Sequence, residues 1–158
     1  MKNSVKNILI KIFSAQARKI IKKHKPIVIG IVGSVGKTST KYAIAAVSSK
    51  KYRVQSQKGN YNVPLTMPLV VIGQALPELY NPFGWLKVWL AGQKYVHGKY
   101  PYDVVVLEMG TDTPGDIAEL AQIIKPDIAV VTGVSEEHME YFKTLDNVAK
   151  EELSIAQF

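Results

Sequence analysis

The chain has 158 residues, of which 47% are hydrophobic, and its formal net charge is +7. That length and apolar content are enough for one α/β domain with its own core. The absence of cysteine excludes a disulfide framework and a cysteine-ligated metal, and it is typical of a protein of the reducing cytoplasm. No apolar run approaches the roughly 18 residues of a membrane-spanning helix. Lysines interrupt residues 1–24, so this segment is not a good signal peptide.

Charge is divided unevenly along the chain. Residues 1–77 contain 14 Lys and Arg and no acidic residue, whereas residues 78–158 contain all 13 acids and only 6 lysines. A basic half that binds phosphate, beside an acidic half that can hold a metal ion, is typical of a nucleotide-dependent enzyme. Nucleic-acid binding is the competing interpretation of the basic half. No helix-turn-helix, zinc-finger or RNP pattern supports it, and we expect no nucleic-acid partner.

Residues 3–24 predict a basic amphipathic helix, and we divide the chain into this N-terminal segment, residues 1–25, and a domain over residues 26–158. Apolar residues recur in the helix at spacings of three and four, with Leu9, Phe13 and Ala17 at the centre. Such a helix either contacts a membrane surface or another anionic partner, or packs its apolar stripe on its own domain. We favour packing.

The segment 26–41, PIVIGIVGSVGKTSTK, has the pattern of a strand, a tight turn and the start of a helix. In such a turn, backbone N–H groups and the positive end of the helix bind phosphate. Lys37 supplies a charge for the outer phosphates, and Thr38 supplies a hydroxyl for Mg²⁺. The common motif G-x-x-x-x-G-K-[ST] would place its first glycine at Ile31, so only G-x-x-G-K-T is present. We predict nucleotide-phosphate binding by these residues: Gly33, Ser34, Val35, Gly36, Lys37, Thr38 and Ser39.

Strand and helix patterns alternate along the rest of the chain. Helices are predicted over residues 38–50, 65–74, 85–96, 114–124 and 144–158, and strands over residues 27–32, 52–57, 102–109 and 127–134. We expect Pro68 to break its helix, and Thr113 to cap the helix that follows it with Pro114 at the first position. Residues 77–84 predict a connection rich in helix breakers. The alternation predicts a three-layer, P-loop-type α/β fold whose sheet is mostly parallel.

Polar residues lie where a parallel sheet binds its ligands. Glu108 ends the strand 102–109, and His138 follows the next strand. A carboxylate at that edge can hold Mg²⁺ directly or through water, although a solvated acid and a surface histidine are the simpler interpretations. Asn60 and Asn62 lie in the loop past the second strand, where amides either form turns or orient a substrate.

The chain resembles the central ATPase domain of the Mur ligase family in four segments, which occur in this order: GSVGKTSTK, GNYNVPLTMPL, VVVLEMGTDTPGDI and PDIAVVTGVSEEHMEYF. The resemblance covers residues 26–153, and a phosphate loop without the first glycine is the form that this family uses. It implies a cytoplasmic, ATP-dependent amide ligase of peptidoglycan precursor synthesis, with ATP and Mg²⁺ as cofactors. The implied substrates are a UDP-muramoyl peptide, activated as an acyl phosphate, and D-alanyl-D-alanine.

The resemblance also implies roles for individual residues. Lys37 would stabilise charge on the transferring phosphoryl group, and Thr38 and Glu108 would hold one Mg²⁺. His138 would act in catalysis as a ligand of a second Mg²⁺. Asn60 and Asn62 match the family's asparagine-rich loop and would contact substrate.

The chain departs from the family pattern in the asparagine-rich loop, where Val63 and Thr66 stand in place of an Asn and a Gly, and in two further respects. The family carries a carbamylated lysine after the histidine, and its position falls on Glu152, with Lys150 two residues earlier. Either Glu152 supplies an unmodified carboxylate to the metal, which we favour, or Lys150 takes the role in a shifted helix; an exposed helix face is the simpler interpretation of both. The family also has further domains on either side, so we expect a C-terminally incomplete fragment that is poorly active alone. The alternatives are another ligase of the Mur or folylpolyglutamate type and a non-catalytic nucleotide-binding module.

Overall fold

A computed structural model describes residues 2–56 and 63–158, and its centre is a four-stranded sheet in which all neighbouring strands are parallel. The strands are β1 (Ile27–Val32), β2 (Val54–Ser56), β3 (Val104–Glu108) and β4 (Ile128–Val131), in the spatial order β2–β3–β1–β4. The helices are α1 (Lys2–His24), α2 (Lys37–Ser48), α3 (Met67–Ile72), α4 (Pro82–His97), α5 (Asp116–Ile123), α6 (Met139–Phe142) and α7 (Leu145–Leu153), and a 3₁₀ turn (Ser154–Gln157) follows. The predicted α/β fold is confirmed.

The sheet is covered on both faces, because alternate residues of its central strands point to opposite sides. Ile29 and Ile31 of β1 pack with Val106 on the side of α2, where Ile44 joins them. The alternate residues of the central strands, which point to the opposite side of the sheet, join a larger core that contains side chains of α1, α3, α4 and α5. The two central strands, β1 and β3, are therefore almost entirely buried, whereas the edge strand β4 is mostly exposed. The loop of residues 33–36, which is predicted to bind phosphate and is called the phosphate loop below, follows β1 at the centre of the sheet.

Helix α1 packs on the domain, as the favoured alternative predicted. Phe13, Ala17 and Ile20 are buried in the main core, and the Phe13 ring lies 5.4 Å from that of Trp85 in α4. At its end, Lys23 Nζ donates to backbone carbonyls at the end of α4, where helix carbonyls have no partner within the helix. The division of the chain at residue 25 stays a prediction. Of the helices in the described ranges, none combines the length and apolar character needed to cross a bilayer.

Helix α3 does not break at Pro68, contrary to the prediction. The helix begins at Met67, so Pro68 lies in its first turn, where the missing N–H removes no intrahelical hydrogen bond. Helix α4 likewise begins at Pro82, inside the predicted connection. Asn81 caps it by accepting a hydrogen bond from Gly84 N at 2.9 Å.

Helix α5 is not capped by Thr113, contrary to the prediction. It begins after Gly115, which has a φ of 99°, and its first N–H groups donate to a side chain from another helix. Glu151 of α7 accepts from Gly115 N and from Ile117 N, both at 2.9 Å. The predicted helix over 144–158 is divided into α7 and the 3₁₀ turn, and the short helix α6 before it was not predicted.

Candidate functional site

The loop between β1 and α2 has the shape that its glycines predict. Gly33 has a φ of 127° and Gly36 a φ of 85°, a conformation that L side chains rarely adopt. A Cβ atom on Gly33 would also lie 2.1 Å from Thr132 Oγ1. Only glycine fits at this position, which lets the chain turn directly from the end of β1 into α2.

The segment after β4 holds this loop in place. Ser34 N donates to Gly133 O at 2.7 Å, and Thr132 Oγ1 lies 2.7 Å from Val35 O and 3.0 Å from Val32 O. The loop is thereby fixed to the neighbouring strand on one side and to α2 on the other. A preorganised loop of this kind binds a ligand without first having to be ordered.

The first turn of α2 faces the same space. Its first intrahelical hydrogen bond runs from Thr40 N to Gly36 O at 2.9 Å, so the N–H groups of Lys37, Thr38 and Ser39 precede it and have no acceptor within the helix. Helix termini of this kind attract anions through these N–H groups and through the helix dipole. The Lys37 ammonium lies over the loop, where it contacts Gly33 O and lies 3.3 Å from Ser34 O. The arrangement suits a phosphate group.

Glu108 lies beside the first turn of α2, and its role as a metal ligand stays a prediction. Thr38 Oγ1 is 3.0 Å from both carboxylate oxygens of Glu108, and Lys41 Nζ is 3.0 Å from Oε2. Lys41 is fully buried and Glu108 is 4% exposed. A buried carboxylate is stable only with such compensation. The hydroxyl and the carboxylate oxygens that Mg²⁺ prefers therefore converge here.

Glu152 lies on the other side of the loop. Its Oε2 accepts a hydrogen bond from Gly33 N at 2.7 Å, and the residue is fully buried. Within the described residues, Oε1 of Glu152 and Oε1 of Glu137 are buried without a hydrogen-bond partner. Burial raises the pKa of Glu152 to about 7; the Glu137 carboxyl adds to the rise, while the Gly33 N–H and the Lys37 charge oppose it. Two carboxyl groups in this arrangement fit a cation or share a proton.

The remaining predicted residues lie elsewhere. His138 is the N-cap residue of α6 and has a φ of 48°, and its Nε2 is 3.4 Å from Asp112 Oδ1. Lys150 is exposed on α7 and does not reach the phosphate loop in the way that Glu152 does. Asn60 and Asn62 fall outside the described residues.

The predicted metal ligands are thus divided between three places. Thr38 meets Glu108, Glu152 meets Gly33, and His138 faces Asp112. Over residues 2–56 and 63–158, no three His, Cys, Asp or Glu side chains form a cluster. Mg²⁺ at nucleotide sites needs none, because it keeps several waters and takes the rest of its ligands from phosphate oxygens and one or two carboxylates. The donor set present fits Mg²⁺ bound together with a nucleotide.

Sequence reasoning missed Lys41 and Glu137. Lys41 lies one helical turn after Lys37, a spacing that places both on one face of α2 and was a usable signal. Glu137 stands in the acidic turn before His138, but nothing local indicates that it meets Glu152 of α7.

Comparisons with known proteins identify the family. Residues 88–158 match the family model described as the Mur ligase middle domain. A UDP-N-acetylmuramoyl-tripeptide–D-alanyl-D-alanine ligase from Bacillus subtilis is 34% identical over 128 residues, which are 81% of this chain and 23% of the relative. One from Borreliella burgdorferi is 32% identical over 147 residues, which are 93% of this chain and 26% of the relative. The chain belongs to the Mur ligase family.

A solved structure agrees with this assignment. The MurF ligase from Thermotoga maritima, in complex with ADP, matches with a TM-score of 0.68 and 27% identity over 92% of this chain and 29% of that chain. The family resemblance predicted from the sequence is confirmed. This Mur ligase chain spans about a quarter of the length of the relatives that it matches.

Proposed function

We propose that the chain is the nucleotide-binding part of an ATP-dependent amide ligase of peptidoglycan precursor synthesis. The observation that carries the proposal is the convergence of the α2 N-terminus, the Thr38–Glu108 pair and Glu152 around one glycine loop. Phosphoryl transfer requires positioning and charge neutralisation more than covalent chemistry. A rigid loop with donors on one side and carboxylates on the other supplies both.

The loop residues Gly33–Ser39 would hold the phosphates of ATP through backbone N–H groups, and Lys37 would exchange its carbonyl contacts for phosphate oxygens. Thr38 and Glu108 would hold one Mg²⁺. His138 and Glu152, which make separate contacts in this structure, would both have to reach a second. Bound Mg²⁺ would neutralise charge on the transferring phosphoryl group. Lys41 would keep the buried Glu108 ionised and in position throughout, since its ammonium lies 3.0 Å from the carboxylate.

The names of the relatives give the substrates that those enzymes ligate, and we assign the same reaction to this site. A carboxylate oxygen of a UDP-muramoyl peptide would attack the terminal phosphorus of ATP, which releases ADP and leaves an acyl phosphate. The amine of D-alanyl-D-alanine would then attack the acyl carbon, and phosphate would leave as the amide forms. Asn60 and Asn62 would contact the peptide substrate. The expected cytoplasmic location belongs to this proposal, because ATP is available there.

Nucleotide binding is tested by calorimetry with ADP and with ATP, in Mg²⁺ and in EDTA. We expect Mg²⁺-dependent binding that Lys37→Ala weakens at least about tenfold, because a charge-assisted phosphate contact is lost. The matched control is Lys50→Ala, which removes an exposed lysine near the other end of α2 and should change nothing. Absence of Mg²⁺-dependent binding contradicts the proposal.

Ligation is tested separately, by following amide formation from a UDP-muramoyl peptide, D-alanyl-D-alanine and MgATP. We expect little turnover by these 158 residues alone and detectable nucleotide binding. Phosphate release that depends on the carboxylate substrate supports a ligase. Nucleotide binding that no carboxylate substrate alters supports the alternative of a non-catalytic module.

A further inference from the structure

Helices α1 and α4 lie side by side and run in the same direction. The Phe13 ring lies against Trp85, Gln16 Nε2 donates to Trp89 O at 3.0 Å, and Lys23 Nζ donates to Val96 O at 2.9 Å. The contacts advance along both helices together, so the pair forms one continuous outer layer of the domain. The side of this layer that faces away from the sheet is formed by both helices.

That outer side exposes large apolar residues, which we call the α1–α4 face. Its members are Ile8 (57% exposed), Ile12 (43%), Leu86 (50%), Trp89 (40%) and Leu90 (53%). Ile8 and Ile12 are one turn apart on α1, and Leu86 and Leu90 are one turn apart on α4, so each pair shares a helix side. Ile12 and Trp89 line the same shallow groove of about 160 Å³ between the helices. Apolar side chains collected on one surface in this way mark an interaction site.

The charge around the α1–α4 face has one sign. Neither α1 nor α4 contains an acidic residue. Lys19 lines the groove itself, Lys11 precedes Ile12, and Lys94 lies one turn after Leu90. Long lysine side chains can extend along an apolar surface while their ammonium groups stay in water. An apolar centre with a lysine border therefore faces outward.

We propose that the α1–α4 face binds the surface of an anionic lipid bilayer, with both helices lying in the plane of the interface. Apolar side chains would enter the boundary between headgroups and acyl chains while the lysines bind lipid phosphates. Nucleic acid is a poorer match, because five exposed apolar side chains would meet a phosphate backbone, and α1 carries one arginine among its lysines. An acidic protein is the remaining alternative partner for this face, and binding to polyglutamate distinguishes it from a bilayer.

The surface is independent of the proposed ligase site. None of its five apolar residues touches the phosphate loop or the carboxylates beside it, because the packed face of α1 and the sheet lie between them. Failure of membrane binding therefore leaves the ligase proposal intact, and failure of nucleotide binding leaves this one intact.

The test is co-sedimentation of the 158-residue protein with vesicles of phosphatidylcholine, with and without about 30% phosphatidylglycerol, at low and high salt. We expect the protein to bind only the vesicles that contain phosphatidylglycerol. Binding should be weaker at high salt, because salt screens the attraction between the lysines and the lipid phosphates. Lys11→Glu with Lys94→Glu should weaken binding by roughly 25-fold or more, about fivefold for each lysine. The control pair Lys50→Glu with Lys125→Glu has the same net charge, lies on other surfaces and should have a much smaller effect.

Apolar insertion is tested with Ile12→Ser and Leu90→Ser combined, against Val47→Ser and Leu153→Ser, which are exposed on α2 and α7. The first pair should weaken binding at least about tenfold and the second should not. Thermal unfolding by circular dichroism confirms that each variant folds. No binding to anionic vesicles at low salt overturns the proposal. Equal effects of the test and control pairs on vesicle binding also overturn it. Tight binding to polyglutamate that Ile12→Ser and Leu90→Ser leave unchanged overturns it as well, and favours an acidic protein as the partner.

Discussion

The two buried carboxylates beside the phosphate loop are stabilised in opposite ways. Glu108 receives a hydroxyl and an ammonium, each 3.0 Å away, from α2. Glu152 receives one backbone N–H at 2.7 Å and faces a second acid, Glu137. The Glu108 carboxylate is therefore neutralised within the fold, whereas the Glu152 carboxylate is compensated only when it binds a proton or a cation.

The largest effect is expected at Lys41. Lys41→Met should lower the free energy of unfolding by about 3–5 kcal/mol, because it leaves the Glu108 carboxylate buried without its ammonium partner. Urea denaturation measures the change. Lys41→Met combined with Glu108→Gln should recover part of the loss, while Lys50→Met, on the exposed surface, should stay within about 0.5 kcal/mol. A loss that the second substitution does not reduce would show that Glu108 is not the cause.

The next effect is expected at Gly33, the loop residue whose N–H donates to Glu152. Gly33→Ala should cost about 3 kcal/mol, because it adds a clash with Thr132 to the strain of a positive φ. Gly115→Ala is the matched control, since its φ is 99° but nothing lies within 4 Å of the added Cβ, and it should cost about 1 kcal/mol. Equal losses in urea denaturation would mean that the close approach to Thr132 is unimportant.

The Glu152 carboxyl group should make the free energy of unfolding depend on pH. Its pKa is raised to about 7 in the folded protein from 4.5, so the folded state holds a proton that the unfolded state has released. Between these values the unfolding free energy therefore falls as pH rises. We expect a fall on the order of 1–2 kcal/mol from this group, which Glu152→Gln removes while it keeps the hydrogen bond from Gly33. Unfolding measured from pH 4.5 to 7.5 that follows the same curve in both proteins contradicts this account.

The smallest effect on stability is expected at Thr38. Thr38→Val removes one hydrogen bond to Glu108, while Lys41 stays, so the loss should be about 1 kcal/mol. Mg²⁺-dependent nucleotide binding should nevertheless be lost if the hydroxyl binds the metal. Thr40→Val, two residues further along α2, is the control for the change of shape. Unaltered Mg²⁺ dependence in Thr38→Val would remove that hydroxyl from the metal site.

The sequence predicted the parts of the site that are formed by adjacent residues. The strand, the glycine turn and the start of α2 follow from a pattern of sixteen residues, and Glu108 is placed by the end of its own strand. The contacts that α7 makes with distant segments were not predictable. Glu152 meets Gly33 across 119 residues, and Glu151 caps α5 from 34 residues away. Both depend on how α7 packs, which no local pattern specifies, and the cap from Glu151 explains why Thr113 is not needed as one.

We propose above all that the α2 N-terminus and the loop before it bind the phosphates of ATP. The most direct test follows the backbone amide resonances of the ¹⁵N-labelled protein as MgADP and then MgATP are added. We predict the largest shifts at Gly33, Gly36, Lys37, Thr38 and Ser39, with small shifts on α1 and α4, and with Lys37→Ala reducing them. Shifts that are absent, or that are largest outside residues 33–39, would contradict the account.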